Sequence, residues 1–230
     1  MFTLDQVVPW GRSFDEYRRM FALTDAELES KILGCADGPA SFNAEATHLG
    51  TRVVSCDPLY QWDAPGIRDR VRATSHDVLD QTRRNAHEFI WDVIPSVEAL
   101  GQLRMTAMER FLQDLEPGKG QGRYVAAALP SLPFSDGSFA LALCSHFLFL
   151  YTDHLTGAFH LAALRDMCRV ADEVRVFPLI ALDGRISPYV AAAADALRTS
   201  GHDVSIVTVP YEFRRGGNQM LSVRACDREP

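Results

Sequence analysis

Residues 31–58, KILGCADGPASFNAEATHLGTRVVSCDP, constrain this chain more than any other stretch. The apolar pair Ile32 and Leu33 reads as a strand that leads into a loop of small residues at 34–40. A helix is expected next, with Phe42, Ala46 and Leu49 on one face and Gly50 at its stop. A second strand, 53–56, then ends on Asp57. This is one β-α-β unit with small residues at the strand-to-helix turn and a carboxylate at the tip of the next strand. Small residues let the backbone of 36–40 approach a ligand that bulkier side chains would hold off. Unpaired N–H groups at the helix start point at whatever lies there. Asp57 comes 19 residues after Gly38, which puts it on the neighbouring strand. A carboxylate there can accept both hydroxyls of a ribose.

A chain of 230 residues can bury one large core, so a single domain is expected over 1–230. Its hydrophobic fraction of 47% is that of a globular protein and not of a disordered one. The net charge of -7 argues against non-specific binding to nucleic acid or to an anionic membrane surface. The five cysteines (35, 56, 144, 168 and 226) are odd in number with no CxxC pair, and read as reduced thiols of a cytoplasmic protein. Cys35, Cys56 and Cys144 fall near strand ends, but no metal site is expected from their spacing. No run approaches the ~18 apolar residues of a membrane span. The first residues, MFTLDQVVPWGR, have the wrong charge order for a secretory signal.

Residues 1–30 read as a helical appendage. Ser13 with Glu16, and Thr24 with Glu27, fit the capping box, and Phe14, Tyr17 and Phe21 share a face. A helix leading into the first strand is placed to fold over the glycine loop. Residues 60–120 hold no strand and form a helical insertion, longer than the dozen or so residues a crossover needs. One helix is expected over 66–91, broken by Pro95; a second is capped by Ser96 and ends at Pro117-Gly118. Arg68, Arg70, Arg72, Arg83 and Arg84 alternate with acids and read as a solvated face. The insertion is expected to be a lid or the surface of a homodimer. Strands are then expected over 124–129 and 139–144, with the Asp136-Gly137 turn before the second. A helix over 154–169 should turn Ala158, Leu161, Leu164 and Cys168 inward. A strand at 174–179 and a helix opened by Ser187-Pro188 follow. Strands 204–209 and 219–226, joined without a helix, must be antiparallel.

That closing pair, the glycine loop with its acid, and the phrase LPFSDGSF before a buried strand together resemble the class I S-adenosylmethionine-dependent methyltransferases. The resemblance covers 32–57 and 123–225. It implies an α/β, Rossmann-like, seven-stranded and mostly parallel sheet with an antiparallel last strand and helices on both faces. It also implies S-adenosylmethionine as cofactor, held across the carboxyl ends of the first strands. The family's glycine loop falls on Ala36, Asp37, Gly38, Pro39 and Ala40, under the methionine part. Asp57, followed by Pro58, matches the acid on the ribose, and Ala128 and Leu129 stand at the adenine. Cys144, Ser145 and His146 match the end of the fourth strand, beside the donor's amino-acid end and the acceptor. The chain departs from the pattern at Ala36 and Ala40, where the family prefers glycine, and at Gly34 and Ala128, where it prefers acids. Asp37 is a candidate replacement for the acid missing at Gly34.

Methyl transfer needs alignment of the acceptor, exclusion of water, and a base only if the acceptor must lose a proton. His146 is the candidate base, because imidazole titrates near neutrality. Tyr151, Arg214 and Arg215 are candidates for the substrate side, the arginines as clamps for a carboxylate or phosphate. The motifs of amino-methylating DNA enzymes and a Pro-Cys nucleophile are missing, which with the acidic balance favours a small-molecule acceptor. Two other readings stay open: a non-catalytic S-adenosylmethionine- or nucleoside-binding protein on the same fold, and a nicotinamide-dependent oxidoreductase. The second gives no reason for the antiparallel pair.

Overall fold

Successive residues of a strand face opposite sides of its sheet, and in the central strands of this chain both sides are apolar. A computed structural model of the chain describes Leu4 and residues 6–225, so Cys226 lies outside the described residues. Its strands are β1 (Lys31–Cys35), β2 (Arg52–Cys56), β3 (Tyr124–Val125), β4 (Phe139–Ser145), β5 (Ala171–Phe177), β6 (His202–Thr208) and β7 (Gln219–Ala225). They form one sheet in the order β3-β2-β1-β4-β5-β7-β6. The first five run parallel, and β7 is antiparallel to both β5 and β6. The expected sheet is therefore present.

The helices are α1 (Phe14–Met20), α2 (Asp25–Leu28), α3 (Phe42–His48), α4 (Ala64–Arg84), α5 (Val97–Gly120), α6 (Gly157–Val170) and α7 (Tyr189–Thr199). Ile32, Leu141 and Leu143 pack on Tyr17, Phe21 and Phe42 on one side of the sheet. Leu33, Ala142 and Cys144 pack on Leu164, Met167 and Leu197 on the other. A third cluster joins α4 and α5 through Ile67, Val71, Phe111 and Leu115 to Tyr124 at the edge strand. No helix among the described residues is long and apolar enough to cross a membrane.

Several boundaries differ from expectation, some because a tertiary contact outweighs local propensity and others because a cap or turn falls at a different residue. β1 runs on through Gly34 and Cys35, which pair with β2 on one side and β4 on the other. Leu49 is 67% exposed, because α3 has already ended at His48. α4 ends at Arg84 and not at residue 91: Phe89 bridges to Arg214, and the Ile90 N–H donates to the Phe213 carbonyl at 2.8 Å. α5 carries Pro117 inside its last turn and closes at Gly120, where Gly118 lies against the Tyr124 ring. β3 is only two residues long, because Ala128 pairs back with Ser131 in a turn. α6 starts at Gly157, capped by Thr156, so Ala158 faces solvent and His160 faces inward. α7 starts after Pro188, which is itself the N-cap.

Both capping boxes form as expected. The first has a further use. The Glu16 carboxylate accepts from the Ser13 N–H (3.0 Å), from two Arg104 nitrogens (2.5 and 2.7 Å) and from the Tyr211 hydroxyl (2.9 Å). It thus ties α1 to the insertion and to the connection between β6 and β7. Burial alone would raise this carboxyl, but Arg104, helped by Arg12 and Ser13, outweighs it and holds the group at about 2. Its stabilising share is full above about pH 4.5 and is lost as pH falls toward 2. Glu16→Gln leaves Arg104 charged and unpaired, and is expected to cost about 3–5 kcal/mol in urea unfolding at pH 7. The double variant Glu16→Met with Arg104→Met should recover most of that loss. Unchanged stability in the single variant would contradict the tie.

Candidate functional site

Chain order reverses between β1 and β4: β1 leads outward to β2, whereas β4 lies on its other side and leads to β5. Ligands of open α/β sheets bind in the crevice at such a switch point, beyond the carboxyl ends of the strands. A cleft of about 460 Å³ opens there, within the range of small-molecule sites. Residues following each of the five parallel strands line it.

The bend after β1 is held from three sides. The Ala36 N–H donates to the Cys56 carbonyl (2.8 Å), the Gly38 N–H donates to Asp57 Oδ2 (2.9 Å), and the Tyr60 hydroxyl donates to the Gly38 carbonyl (2.8 Å). Ala36 and Gly38 both take positive φ, 53° and 54°, which tightens the turn at two points where only small residues are easily accommodated. Asp57 Oδ1 accepts from the Leu59 N–H at 2.7 Å, so each carboxylate oxygen has one backbone partner and keeps a lone pair for a ligand. Burial raises the Asp57 carboxyl against the pull of those two N–H groups.

Asp37 turns back over β1. A Cβ on Gly34 would stand 1.8 Å from Asp37 Oδ2, so the loop carboxylate fills the space that a side chain at position 34 would take. Tyr17 donates to Asp37 Oδ1 (2.8 Å) and Ser55 to Oδ2 (2.6 Å). Burial, with Asp57 adding like charge, prevails over these two bonds and pushes Asp37 up to about 6.

Ala128 and Leu129 line the cleft beyond β3, and Ser145 and His146 line it beyond β4. Ser145 Oγ and His146 Nδ1 are 2.9 Å apart, and the His146 N–H donates to the Phe177 carbonyl at 2.7 Å. Burial, then the charges of Arg12 and Arg104, push the His146 imidazole well below its usual range. The ring is therefore neutral at pH 7 and does not titrate near neutrality as expected from sequence.

Among the other expected residues, Ala36, Asp37, Gly38, Pro39, Asp57, Pro58, Tyr151 and Arg214 line the cleft. Ala40 does not; it is buried in the core with Phe14 and Phe42, because the bend has already turned away into α3. Arg215 does not either: it is exposed, and its Nε donates to the His87 carbonyl on the outer side. Arg214 is held by Glu88 at 2.5 Å and by the Leu182 carbonyl, so it braces the wall. The Tyr151 hydroxyl accepts from the Val8 N–H at 3.2 Å, which fastens the segment leading to α1 across the opening. Cys35, Cys56 and Cys144 stand in register on three adjacent strands, and burial pushes the Cys144 thiol up to about 12, leaving it protonated.

Sequence reasoning missed Arg12, Tyr17 and Arg104, all of which line the cleft. Arg104 had a readable signal: it falls on the apolar stripe of α5 that runs through Leu100, Met108 and Leu115. Arg12 had none, since it precedes a cap residue in an irregular segment.

No family model matches the chain. An uncharacterized protein of Methanocaldococcus jannaschii is 30% identical over 223 residues, which is 96% of this chain and 97% of that protein. Magnesium protoporphyrin IX methyltransferase of Synechocystis PCC 6803, solved with bound SAM, aligns at 11% identity and a TM-score of 0.45, over 93% of this chain and 91% of that one. The 1,6-didemethyltoxoflavin-N1-methyltransferase of Burkholderia thailandensis, solved with S-adenosylhomocysteine, gives 15% and 0.47, over 92% and 79%. With TM-scores below 0.5 these two carry no weight on the site.

A carboxyl raised in the folded state binds its proton more tightly there, so stability falls as pH rises between the unfolded value, 3.8, and the folded one, about 6. Asp37→Asn removes that fall. Urea unfolding from pH 4 to pH 7 should show the wild type losing about 2 kcal/mol relative to the variant. Parallel curves would place Asp37 in a wetter setting.

Proposed function

The chain belongs to the same family as the Methanocaldococcus jannaschii protein, and for its cleft we propose S-adenosylmethionine-dependent methyl transfer to a small-molecule acceptor. The observation that carries this reading is the 2.9 Å bond between the bend after β1 and the acid tipping β2, at the switch point of the sheet. It sets a carboxylate suited to ribose hydroxyls beside backbone that leaves room for a tail. Gly38 has open space where a Cβ would stand, with nothing within 4 Å, so the bend admits a ligand at close approach. The residues present fit the donor. Asp57 would hold the ribose, Ala128 and Leu129 the adenine, and residues 36–39 the methionine part. The altered glycine loop gives little support to a non-catalytic protein, since Asp37 stands in the space beside Gly34.

When bound, S-adenosylmethionine supplies a methyl group already activated as a sulfonium. The chain's own work is then alignment and exclusion of water. Val78 and Thr82 of α4 and Leu100 of α5 line the cleft, which favours the lid over the dimer surface as the role of the insertion. The Tyr151–Val8 bond holds the leading segment over the same opening. His146 offers a neutral imidazole, which orients an acceptor O–H or N–H by hydrogen bonding; its lowered basicity suits positioning more than outright deprotonation.

Calorimetry with S-adenosylmethionine, S-adenosylhomocysteine and NAD tests the reading. Micromolar binding of the first two supports it, and binding of NAD alone contradicts it. Incubation with labelled donor and a metabolite pool should then transfer label. Asp57→Ala is expected to weaken donor binding by about 1–3 kcal/mol, the cost of lost hydrogen bonds to a charged group. An unchanged affinity would remove Asp57 from the site.

A further inference from the structure

Arg12 stands beside the bend that follows β1. Its carbonyl accepts from the Ser41 N–H at 3.0 Å, and a Cβ on Gly11 would lie 2.0 Å from the Pro39 carbonyl oxygen. The leading segment is therefore pressed against the bend, and the half-buried Arg12 side chain lines the cleft from there. Its NH1 donates to the Trp10 carbonyl at 2.7 Å, the one hydrogen bond this guanidinium makes among the described residues. Its Nε is buried with no partner among the described residues. One edge of the fork is thus unspent. The other arginines of the cleft are committed. Glu16 takes both terminal nitrogens of Arg104, Glu88 and the Leu182 carbonyl hold Arg214, and Arg70 lies over the Trp62 ring. Burial, then the charge of Arg104, lower Arg12 to about 10, so it is still charged at pH 7. A guanidinium with a free edge suits an oxyanion, and its planar fork matches a carboxylate through two parallel bonds.

Gly11 packs on Pro39, within the residues assigned above to the methionine part of the donor. That part carries the only carboxylate of S-adenosylmethionine. On its other side, the guanidinium is bonded to the backbone of Trp10, and the Val8 N–H donates to the Tyr151 hydroxyl at 3.2 Å. Val8 and Trp10 pack against the apolar cluster of Phe89, Tyr151 and Leu182, which lines the same cleft. Residues 6–12 form neither helix nor strand, so contacts of this kind are what hold them. We infer that Arg12 seats the donor's carboxylate, and that the bound donor thereby fastens Val8 and Trp10 as a wall of the acceptor's space. This rests on the methyl-transfer reading. One side chain then joins the two halves of the cleft, and a nucleoside without the carboxylate leaves that wall loose.

The test is calorimetry on the full chain with S-adenosylhomocysteine and with 5′-deoxy-5′-(3-aminopropylthio)adenosine, which lacks only the carboxylate. The wild type should bind the first tenfold or more tightly. Arg12→Gln should abolish that preference by weakening S-adenosylhomocysteine alone, and Arg12→Lys should keep part of it. Hydrogen exchange at the Val8 amide should slow fivefold or more in wild type saturated with S-adenosylhomocysteine, but not with the decarboxylated analogue. Equal affinity of the wild type for the two nucleosides overturns the seat, and so does a preference that survives in Arg12→Gln. Equal protection of Val8 by both overturns the coupling to the wall. If Arg12→Gln does not fold, as judged by circular dichroism, the wild-type comparison and Arg12→Lys decide. Failure of both nucleosides to bind the wild type overturns the methyl-transfer reading and this inference together, whereas equal binding of both overturns the inference alone.

Discussion

One hydrogen bond, from the Gly38 N–H to the Asp57 carboxylate, fixes the spacing on which the cleft depends. The two residues belong to different strand ends, and parallel pairing of β1 with β2 brings those ends side by side through Cys35 and Cys56. The bond closes the gap above that pair. It aims the acid into the crevice while holding the bend low enough to leave the crevice open. Tyr60 repeats the effect from below, anchored by Phe111 and Tyr124 in the cluster under α4 and α5. The insertion therefore supports the bend and also contributes lining residues to the cleft.

The far wall depends on charge. Glu16, Arg104 and Tyr211 come from the beginning, middle and end of the chain and meet in a buried set of hydrogen bonds. Buried ion pairs are seldom large net stabilisers compared with apolar packing, so their use here is better explained by geometry. The pair fixes where α1 and α5 stand relative to the β6–β7 connection. In doing so it leaves Arg12 beside a carboxylate that is already occupied. The same arrangement that closes the wall thus gives it a positive charge, opposite in sign to the acids beyond β1 and β2.

What could be read from sequence was local. The β-α-β unit follows from small residues and apolar spacing, and the two capping boxes from pairs three residues apart; the antiparallel closing strands follow from a connection too short for a crossover. What could not be read was set by contacts between distant residues. The end of α4 is decided by the bond of Ile90 to Phe213, and the shortness of β3 by the turn that pairs Ala128 with Ser131. Within the site, Asp57 and the bend were legible because both flank one helix. Arg12 was not identifiable, since it lies in an irregular segment, whereas Arg104 was overlooked although it falls on the apolar stripe of α5. Ala40 and Arg215 show the opposite error: each lies at the right place in the chain, with its side chain directed away from the cleft or into the core.

A crystal structure of the chain with S-adenosylhomocysteine tests the central claim most directly. The account requires the ribose hydroxyls within hydrogen-bond distance of the Asp57 carboxylate, with the adenine against Ala128 and Leu129 and the amino-acid tail along residues 36–39. A nucleoside bound elsewhere, or one that reaches this cleft with its sugar away from Asp57, would contradict it.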